Sequence, residues 1–131
     1  MILLDTDVVI EISRATAESA QFLEFLGDTP LSVPPVVAME FCIGSRNRQE
    51  LELAARLLDA FEIVPQQEAD GDKAFELIQQ YCLKAGLSIP DYLIAAHALN
   101  RQATLYTFNL RHFTVIPGLD ARAPYSRPAQ G

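Results

Sequence analysis

Three acidic side chains lie at the boundaries of predicted elements, where a solvated surface charge would not need to lie. Asp5 ends the short apolar run 2–4, Glu40 follows an apolar run, and Asp91 precedes the apolar run 92–96. If these carboxylates converge, they repel one another and some of their pKa values rise, and a bound divalent cation reverses that cost. The three acids therefore predict a shared cation site.

The ligands of this predicted site are oxygen atoms. His97 and His112 have no companion at ligand spacing, and Cys42 and Cys82 lie far apart, so neither a zinc framework nor a redox pair is available. Oxygen ligands favour Mg²⁺ or Mn²⁺, which bind phosphates, activate water and stabilise a leaving oxygen. Phosphodiester hydrolysis is the natural chemistry. The histidines are expected to be core or surface residues, and the cysteines buried thiols.

Each acid also has a purely structural explanation. Asp5 could simply cap the following helix, and Asp91 could be the acidic member of a capping box with Ser88. Glu40 could lie at the edge of its apolar stripe and pair with an arginine, which is the commoner fate of a helical glutamate. Two further polar residues suit either turns or the same site: Asp7 and Asn109.

Composition sets limits on the class of protein. The chain has 131 residues, of which 50% are hydrophobic, so it can bury one core, with Phe22, Phe25, Phe61 and Phe75 as its larger fillers. A net charge of −7 argues against a broad basic face that coats nucleic acid, but it does not exclude a nuclease. Three basic residues could contact phosphates locally: Arg46, Arg48 and Arg111.

Short apolar runs alternate with longer segments of helical periodicity. Five strands are predicted, at residues 1–4, 30–33, 62–65, 103–107 and 114–116. Six helices are predicted, one after Asp5, then at 17–26, 34–44, 49–61 and 68–84, and one starting at Ser88. This alternation indicates an α/β fold with a mainly parallel central sheet. In such sheets ligands bind beyond the carboxyl ends of the strands, where Asp5 is expected.

The pattern as a whole resembles a PIN-domain nuclease of the VapC-like toxin type. The resemblance covers residues 1–119 and depends on the order and spacing of several blocks: Leu4-Asp5-Thr6-Asp7, Met39-Glu40-Phe41 with Gly44, Asp91 to Ala96, Leu105 to Phe113 and Ile116 to Leu119. It implies a three-layer α/β/α sandwich formed by one domain, residues 1–119. Residues 120–131 would be a Pro/Ala-rich tail whose order the sequence does not decide.

The resemblance also implies an activity and partners. These are an Mg²⁺- or Mn²⁺-dependent endoribonuclease, a cognate antitoxin protein that occludes the site, and a homodimer. On the matching positions Asp5, Glu40 and Asp91 would hold metal and orient the attacking water, with Asn109 in the place of a fourth, often acidic residue. Thr107 would assist through its hydroxyl. Because Asn109 is neutral, and Asp7 stands where asparagine is common, one strongly held ion is expected.

Three other interpretations are weighed against this one. The Asp5-Thr6-Asp7 start also resembles haloacid-dehalogenase-like phosphatases, although the chain is short for that fold. A PIN-like module that binds RNA or protein without cutting is the second. The third concerns a surface: the apolar faces near Val8, Ile12, Phe22 and Phe25 could receive an antitoxin peptide, or could be core. No segment suggests a membrane span or a leader, so a cytoplasmic location is expected.

Overall fold

The computed structural model describes residues 1–127, and its centre is a five-stranded sheet. The strands are β1 (Ile2–Leu4), β2 (Leu31–Val33), β3 (Glu62–Ile63), β4 (Thr104–Tyr106) and β5 (Asp120–Arg122). Their order across the sheet is β3-β2-β1-β4-β5, and every pairing is parallel. The prediction of an α/β fold with a mainly parallel sheet is confirmed.

Helices connect the strands and form the outer layers of a three-layer α/β/α arrangement. They are α1 (Thr6–Ser13), α2 (Ala17–Leu26), α3 (Pro35–Ile43), α4 (Arg48–Leu58), α5 (Glu68–Tyr81), α6 (Ile89–Arg101) and α7 (Leu110–Phe113). Side-chain caps define several starts: Thr16 accepts the Ser19 N–H before α2, and Asn47 accepts the Glu50 N–H before α4. Within residues 1–127 no helix is both long and apolar enough to span a bilayer.

The two central strands are buried because their side chains are apolar on both faces. Leu3, Leu4 and Leu105 are fully buried, and β1 pairs with β4 so that Leu4 lies opposite Tyr106. The next residue of β1, Asp5, donates its backbone N–H to the Tyr106 carbonyl at 3.0 Å. The chain leaves β1 toward β2 on one side, while β4 and β5 lie on the other. The carboxyl ends of β1 and β4 therefore form the switch point of the sheet, where open α/β folds bind ligands.

The helices α5 and α6 are joined by a buried ion pair that the sequence analysis did not anticipate. Asp70 is 1% exposed and receives hydrogen bonds from both terminal nitrogens of Arg101, at 2.7 and 2.9 Å, and from the Asn100 side chain at 3.0 Å. The Arg101 guanidinium holds the pKa of Asp70 far below its usual range, although burial opposes this. His97 is fully buried, with its Nε2 at 3.7 Å from Asp70 Oδ2, so it is a core histidine.

The predicted fifth strand at residues 114–116 is wrong. The Thr114 N–H is donated to Leu110 and the Ile116 N–H to Phe113, so these donors are used in turns after α7 and cannot pair with a strand. The fifth strand is β5, at the start of the expected tail, where the Thr104 hydroxyl donates to the Asp120 side chain at 2.9 Å. Residues 120–122 are therefore part of the sheet. The remainder of the predicted tail, residues 128–131, lies outside the described residues.

The prediction that four phenylalanines fill the core is wrong for two of them. Phe22 and Phe61 are buried, whereas Phe25 is 80% exposed and Phe75 is 63% exposed. Each helix buries one stripe, and Phe22 on α2 and Ala74 and Leu77 on α5 already fill the stripes that face the core. The cysteine prediction fails as well, because Cys82 is exposed and Cys42 only partly buried.

Candidate functional site

A cleft of about 390 Å³ opens at the carboxyl ends of β1 and β4. The residues that line it are Asp5, Thr6, Asp7, Ile10, Glu40, Asp91, Phe108, Asn109 and Arg127. They come from the start of α1, from α3, from the start of α6, from the segment after β4 and from the C-terminal segment after β5. All four residues proposed as catalytic, and Asp7, thus lie around one cavity although they are distant in sequence.

Asp5 lies at the bottom of this arrangement, where β1 ends and α1 begins. Its Oδ1 accepts the Thr6 N–H at 2.7 Å, and its Oδ2 accepts the Thr107 hydroxyl at 2.7 Å. The residue is only 7% exposed. Burial, followed by the charge of Asp7, raises the pKa of Asp5 from 3.8 to about 7, against the two hydrogen bonds and with a smaller contribution from Asp91. Asp5 is thus both the N-cap of α1 and a carboxyl group whose ionised form is disfavoured by burial.

Asp7 contributes a second, partly buried carboxylate from the first turn of α1. Its Oδ2 accepts the Phe108 N–H at 3.1 Å, while its Oδ1 is buried with no hydrogen-bond partner. Burial raises the pKa of Asp7, and the Phe108 N–H and the charge of Arg127 oppose that rise. An unpartnered carboxylate oxygen in such a place is costly unless a cation or a proton compensates it.

Glu40 and Asp91 are the other two carboxylates that line the cleft. Glu40 Oε1 accepts the Thr6 hydroxyl at 2.7 Å, so the side chain is directed toward α1, and its hydrogen-bond partner is a threonine instead of an arginine. Asp91 has the structural role that was the alternative explanation, since its Oδ2 accepts the Ser88 N–H at 3.1 Å and its own N–H is donated to Ser88 at 3.4 Å. The capping role and the position beside the cleft coexist.

The oxygen atoms of the acids are suitable ligands for a hard divalent cation, but the side chains do not converge on one point. Within residues 1–127, no three Asp, Glu, His or Cys side chains lie close enough together to hold an ion in these conformations. Each carboxylate is directed instead toward a local donor. Oxygen donors, an uncompensated group of negative charges and the unpartnered Asp7 Oδ1 all favour a cation of the Mg²⁺ type. Binding would require the carboxylates to rotate from these donors toward the cleft.

Two neutral residues after β4 lie next to the acids, and one of them contacts Asp5 directly. Thr107 is fully buried, donates its hydroxyl to Asp5, and accepts the Asn109 N–H at 3.0 Å. The Asn109 side-chain nitrogen lies 2.9 Å from His112 Nδ1. His112 is therefore a neighbour of the cleft without lining it, and Thr107 supports Asp5 from beneath.

Sequence reasoning missed Phe108 and Arg127. The Arg127 Cζ lies 4.0 Å from the centre of the Phe108 ring, and its Nη1 lies 3.6 Å from Glu11 Oε2. Arg127 follows a Pro/Ala-rich stretch without periodicity, so no pattern could place it. The three arginines expected near phosphates do not line this cleft, and Arg46 pairs with Glu50 at 3.2 Å.

Comparison with known proteins identifies the family of the chain. A model of the PIN domain matches residues 2–119. The chain is 31% identical to Ribonuclease VapC10 of Mycobacterium tuberculosis over 130 residues, which cover 98% of this chain and 96% of that protein.

Solved structures of other proteins contain chains with a similar fold. A toxin–antitoxin complex from Klebsiella pneumoniae contains a chain with a TM-score of 0.79 and 25% identity, over 97% of this chain and 100% of that one. A crystal structure of VapBC2 from Rickettsia felis, bound to a DNA fragment from their promoter, contains a chain with a TM-score of 0.82 and 25% identity, over 94% and 98%. With the family match over residues 2–119 and the identity to Ribonuclease VapC10 along almost the full length, the chain belongs to the PIN-domain family, in its VapC-like group.

Proposed function

We propose that this protein is an endoribonuclease that depends on Mg²⁺ or Mn²⁺ and acts as the toxin of a toxin–antitoxin pair in the cytoplasm. The observation that carries the proposal is the meeting of Asp5, Asp7, Glu40 and Asp91 around one cleft at the switch point of the sheet. The similarity to Ribonuclease VapC10 supports RNA as the substrate. The phosphatase interpretation is abandoned, because the PIN-domain match covers residues 2–119.

In this proposal Asp5, Glu40 and Asp91 hold the cation. A bound ion would supply charge neutralisation and an acidified water for attack on the phosphorus. Thr107 fixes one oxygen of Asp5 at 2.7 Å, so the carboxylate can present its other oxygen once the Thr6 N–H is released. Asn109 contributes a neutral polar group to the lining of the same cleft. Since the pKa of Asp5 is about 7 without metal, ion binding at neutral pH should release part of a proton.

The direct test is RNA cleavage by protein purified free of any partner. We expect cutting of single-stranded or structured RNA with Mg²⁺ or Mn²⁺, no cutting in EDTA, and none by Asp5→Asn or Asp91→Asn. The matched control is Asp72→Asn, which removes the same charge from an exposed position on α5 and should cut normally. Equal cleavage in EDTA would refute the metal dependence, and no cleavage across a broad RNA panel would favour the non-catalytic module.

A larger groove beside the cleft suits the antitoxin. It measures about 750 Å³, lies between α1, α3 and α4, and is lined in part by Ile12, Phe41, Leu53 and Leu57. It shares Ile10 and Glu40 with the acidic cleft, so an apolar segment bound here would end at the acids. Of the surface that the sequence suggested, only Ile12 lies in this groove. Val8 and Phe22 are buried in the core.

Co-purification with a small protein encoded beside this one tests the partner. Leu53→Asp places a charge in the groove and should abolish the complex, whereas Leu83→Asp, at an exposed site after α5, should not. Complex formation that survives Leu53→Asp would place the antitoxin elsewhere. The proposed homodimer is tested separately by light scattering of the partner-free protein, in which a monomer at all concentrations would exclude it.

A further inference from the structure

The C-terminal segment after β5 returns across the end of the sheet and reaches the acidic cleft. Tyr125 anchors it, with its ring edge-to-face against Phe22 at 6.4 Å and against Phe108 at 5.1 Å. Such aromatic pairs have defined geometry and bury apolar area. Arg127, two residues beyond this anchor, is thereby held beside the cleft.

Arg127 has the features of a preorganised anion ligand. Its guanidinium stacks over the Phe108 ring at 4.0 Å, and its side chain is 37% exposed. Its ion pair with Glu11, at 3.6 Å, is longer than a bidentate arginine–carboxylate contact, so it uses few of the five N–H donors. Among the described residues, Arg127 is the only basic side chain that lines the cleft.

An RNA backbone needs such a cation in order to enter this site. Four carboxylates line the cleft, and the chain as a whole has a charge of −7, so approaching phosphates are repelled. One divalent ion would neutralise two of those charges at the phosphate that reacts, and the neighbouring phosphates would remain opposed. A guanidinium recognises phosphate through two parallel hydrogen bonds, and its stacking on an aromatic ring reduces the entropy lost on binding.

We propose that Arg127 binds an RNA backbone phosphate adjacent to the one that is cut, and so positions the strand in the acidic cleft. This inference rests on the proposed ribonuclease function and adds a substrate-positioning residue to it. Arg127 contacts the substrate and takes no part in proton transfer or in holding the metal ion.

Two other roles for Arg127 give different results. If it only fastens the C-terminal segment through Glu11, removing Glu11 should have the same effect as removing Arg127. If it competes with substrate for the acids, removing it should tighten RNA binding. A phosphate ligand instead predicts that Glu11→Gln, which frees the guanidinium, binds RNA as well as the natural protein or better.

The experiment measures binding of a short fluorescein-labelled single-stranded RNA by anisotropy, in EDTA at mildly acidic pH, over a range of salt concentrations. We expect Arg127→Gln to weaken binding about tenfold, as for loss of one charge-assisted hydrogen bond. The slope of log affinity against log salt should fall by about 0.7, the value for one phosphate contact on a single strand. Arg127→Lys should keep the slope and lose part of the affinity, because it retains charge without the planar fork.

The matched control is Arg122→Gln, which removes the same charge from β5, where Arg122 is exposed and pairs with Asp120 at 3.0 Å. Its affinity and salt slope should remain near those of the natural protein. In Mg²⁺, Arg127→Gln should raise KM about tenfold with kcat within about twofold, as for a group that binds substrate and transition state equally. Urea unfolding of both variants should match that of the natural protein.

The inference is overturned if Arg127→Gln and Arg122→Gln have the same affinity and slope, if Glu11→Gln loses as much affinity as Arg127→Gln, or if Arg127→Gln binds RNA more tightly. These outcomes leave the ribonuclease proposal intact as long as the natural protein cuts RNA. Conversely, binding whose salt slope depends on Arg127, without cleavage in any divalent ion, would refute the nuclease and retain the phosphate contact.

Discussion

The substitution Asp5→Asn should stabilise the metal-free protein while it abolishes RNA cleavage. Burial and the charges of Asp7 and Asp91 raise the pKa of Asp5 from 3.8 to about 7. Each pKa unit between the unfolded and folded states corresponds to about 1.4 kcal/mol, so the ionised carboxylate lowers the free energy of unfolding by about 4 kcal/mol. Asparagine has nearly the same shape and no charge, so it avoids this penalty.

The pH dependence follows from the direction of that shift. The folded-state pKa lies above the unfolded one, so the stability contributed by protonated Asp5 is complete below 3.8 and is lost as the pH rises to about 7. Asp5→Asn has no carboxyl group at this position, so its stability does not fall in this way as the pH rises. Its amide can still accept the Thr6 N–H but no longer accepts the Thr107 hydroxyl, which offsets the gain by about 1 kcal/mol at every pH.

The assay is urea unfolding of both proteins in EDTA across neutral pH. We expect the stability difference in favour of Asp5→Asn to grow by about 3 kcal/mol between about pH 5 and about pH 9. Asp72→Asn, at an exposed position, should show no such growth. A difference that stays constant with pH, or a variant less stable than the natural protein above neutral pH, would show that the Asp5 carboxylate is not desolvated as its 7% exposure indicates.

Three further outcomes follow from the same structure. Thr107→Val removes a hydrogen bond that lowers the pKa of Asp5. The rise of cleavage rate with pH should therefore move to higher pH, and the free energy of unfolding should fall by about 1 kcal/mol. An unchanged pH–rate profile would contradict this role of Thr107. Arg101→Met leaves Asp70 buried without its partner and should destabilise the fold by about 3–5 kcal/mol at neutral pH. Because the pKa of Asp70 is lowered in the fold, its stabilisation exists above its ordinary pKa and disappears in acid, so the two proteins should converge there in urea unfolding. Mg²⁺ should raise the Tm of the natural protein and leave that of Asp5→Asn unchanged in thermal melts, and an equal rise in both would place the ion elsewhere.

The parts of the fold that the sequence predicted are those in which local pattern and burial agree. The apolar run before Asp5 predicted a buried strand, and the position of that strand in a parallel sheet places Asp5 at the ligand edge. Ser88 and Asp91 start α6 through a capping box that the sequence displays. Periodicity failed at α7, whose four residues are too short for a helical pattern.

Other features depend on contacts that no local pattern records. The strand β5 is polar and partly exposed, and it exists because β4 offers an unpaired edge beside it. Phe75 lies on the solvent side of α5 because Ala74 and Leu77 face α6 and the core. Within the candidate site, the acids could be named from their positions, but the support from Thr107 and the approach of Arg127 arise from segments that meet only in the folded chain.

Glu40 belongs to the walls of both the acidic cleft and the apolar groove between α1, α3 and α4. It bonds through the Thr6 hydroxyl to the first turn of α1, the helix that Asp5 caps. Occupants of the two cavities therefore compete for, or cooperate through, the orientation of a single side chain. Thermodynamic linkage then requires that whatever the groove ligand does to cation affinity, the cation does equally to the affinity of the groove ligand.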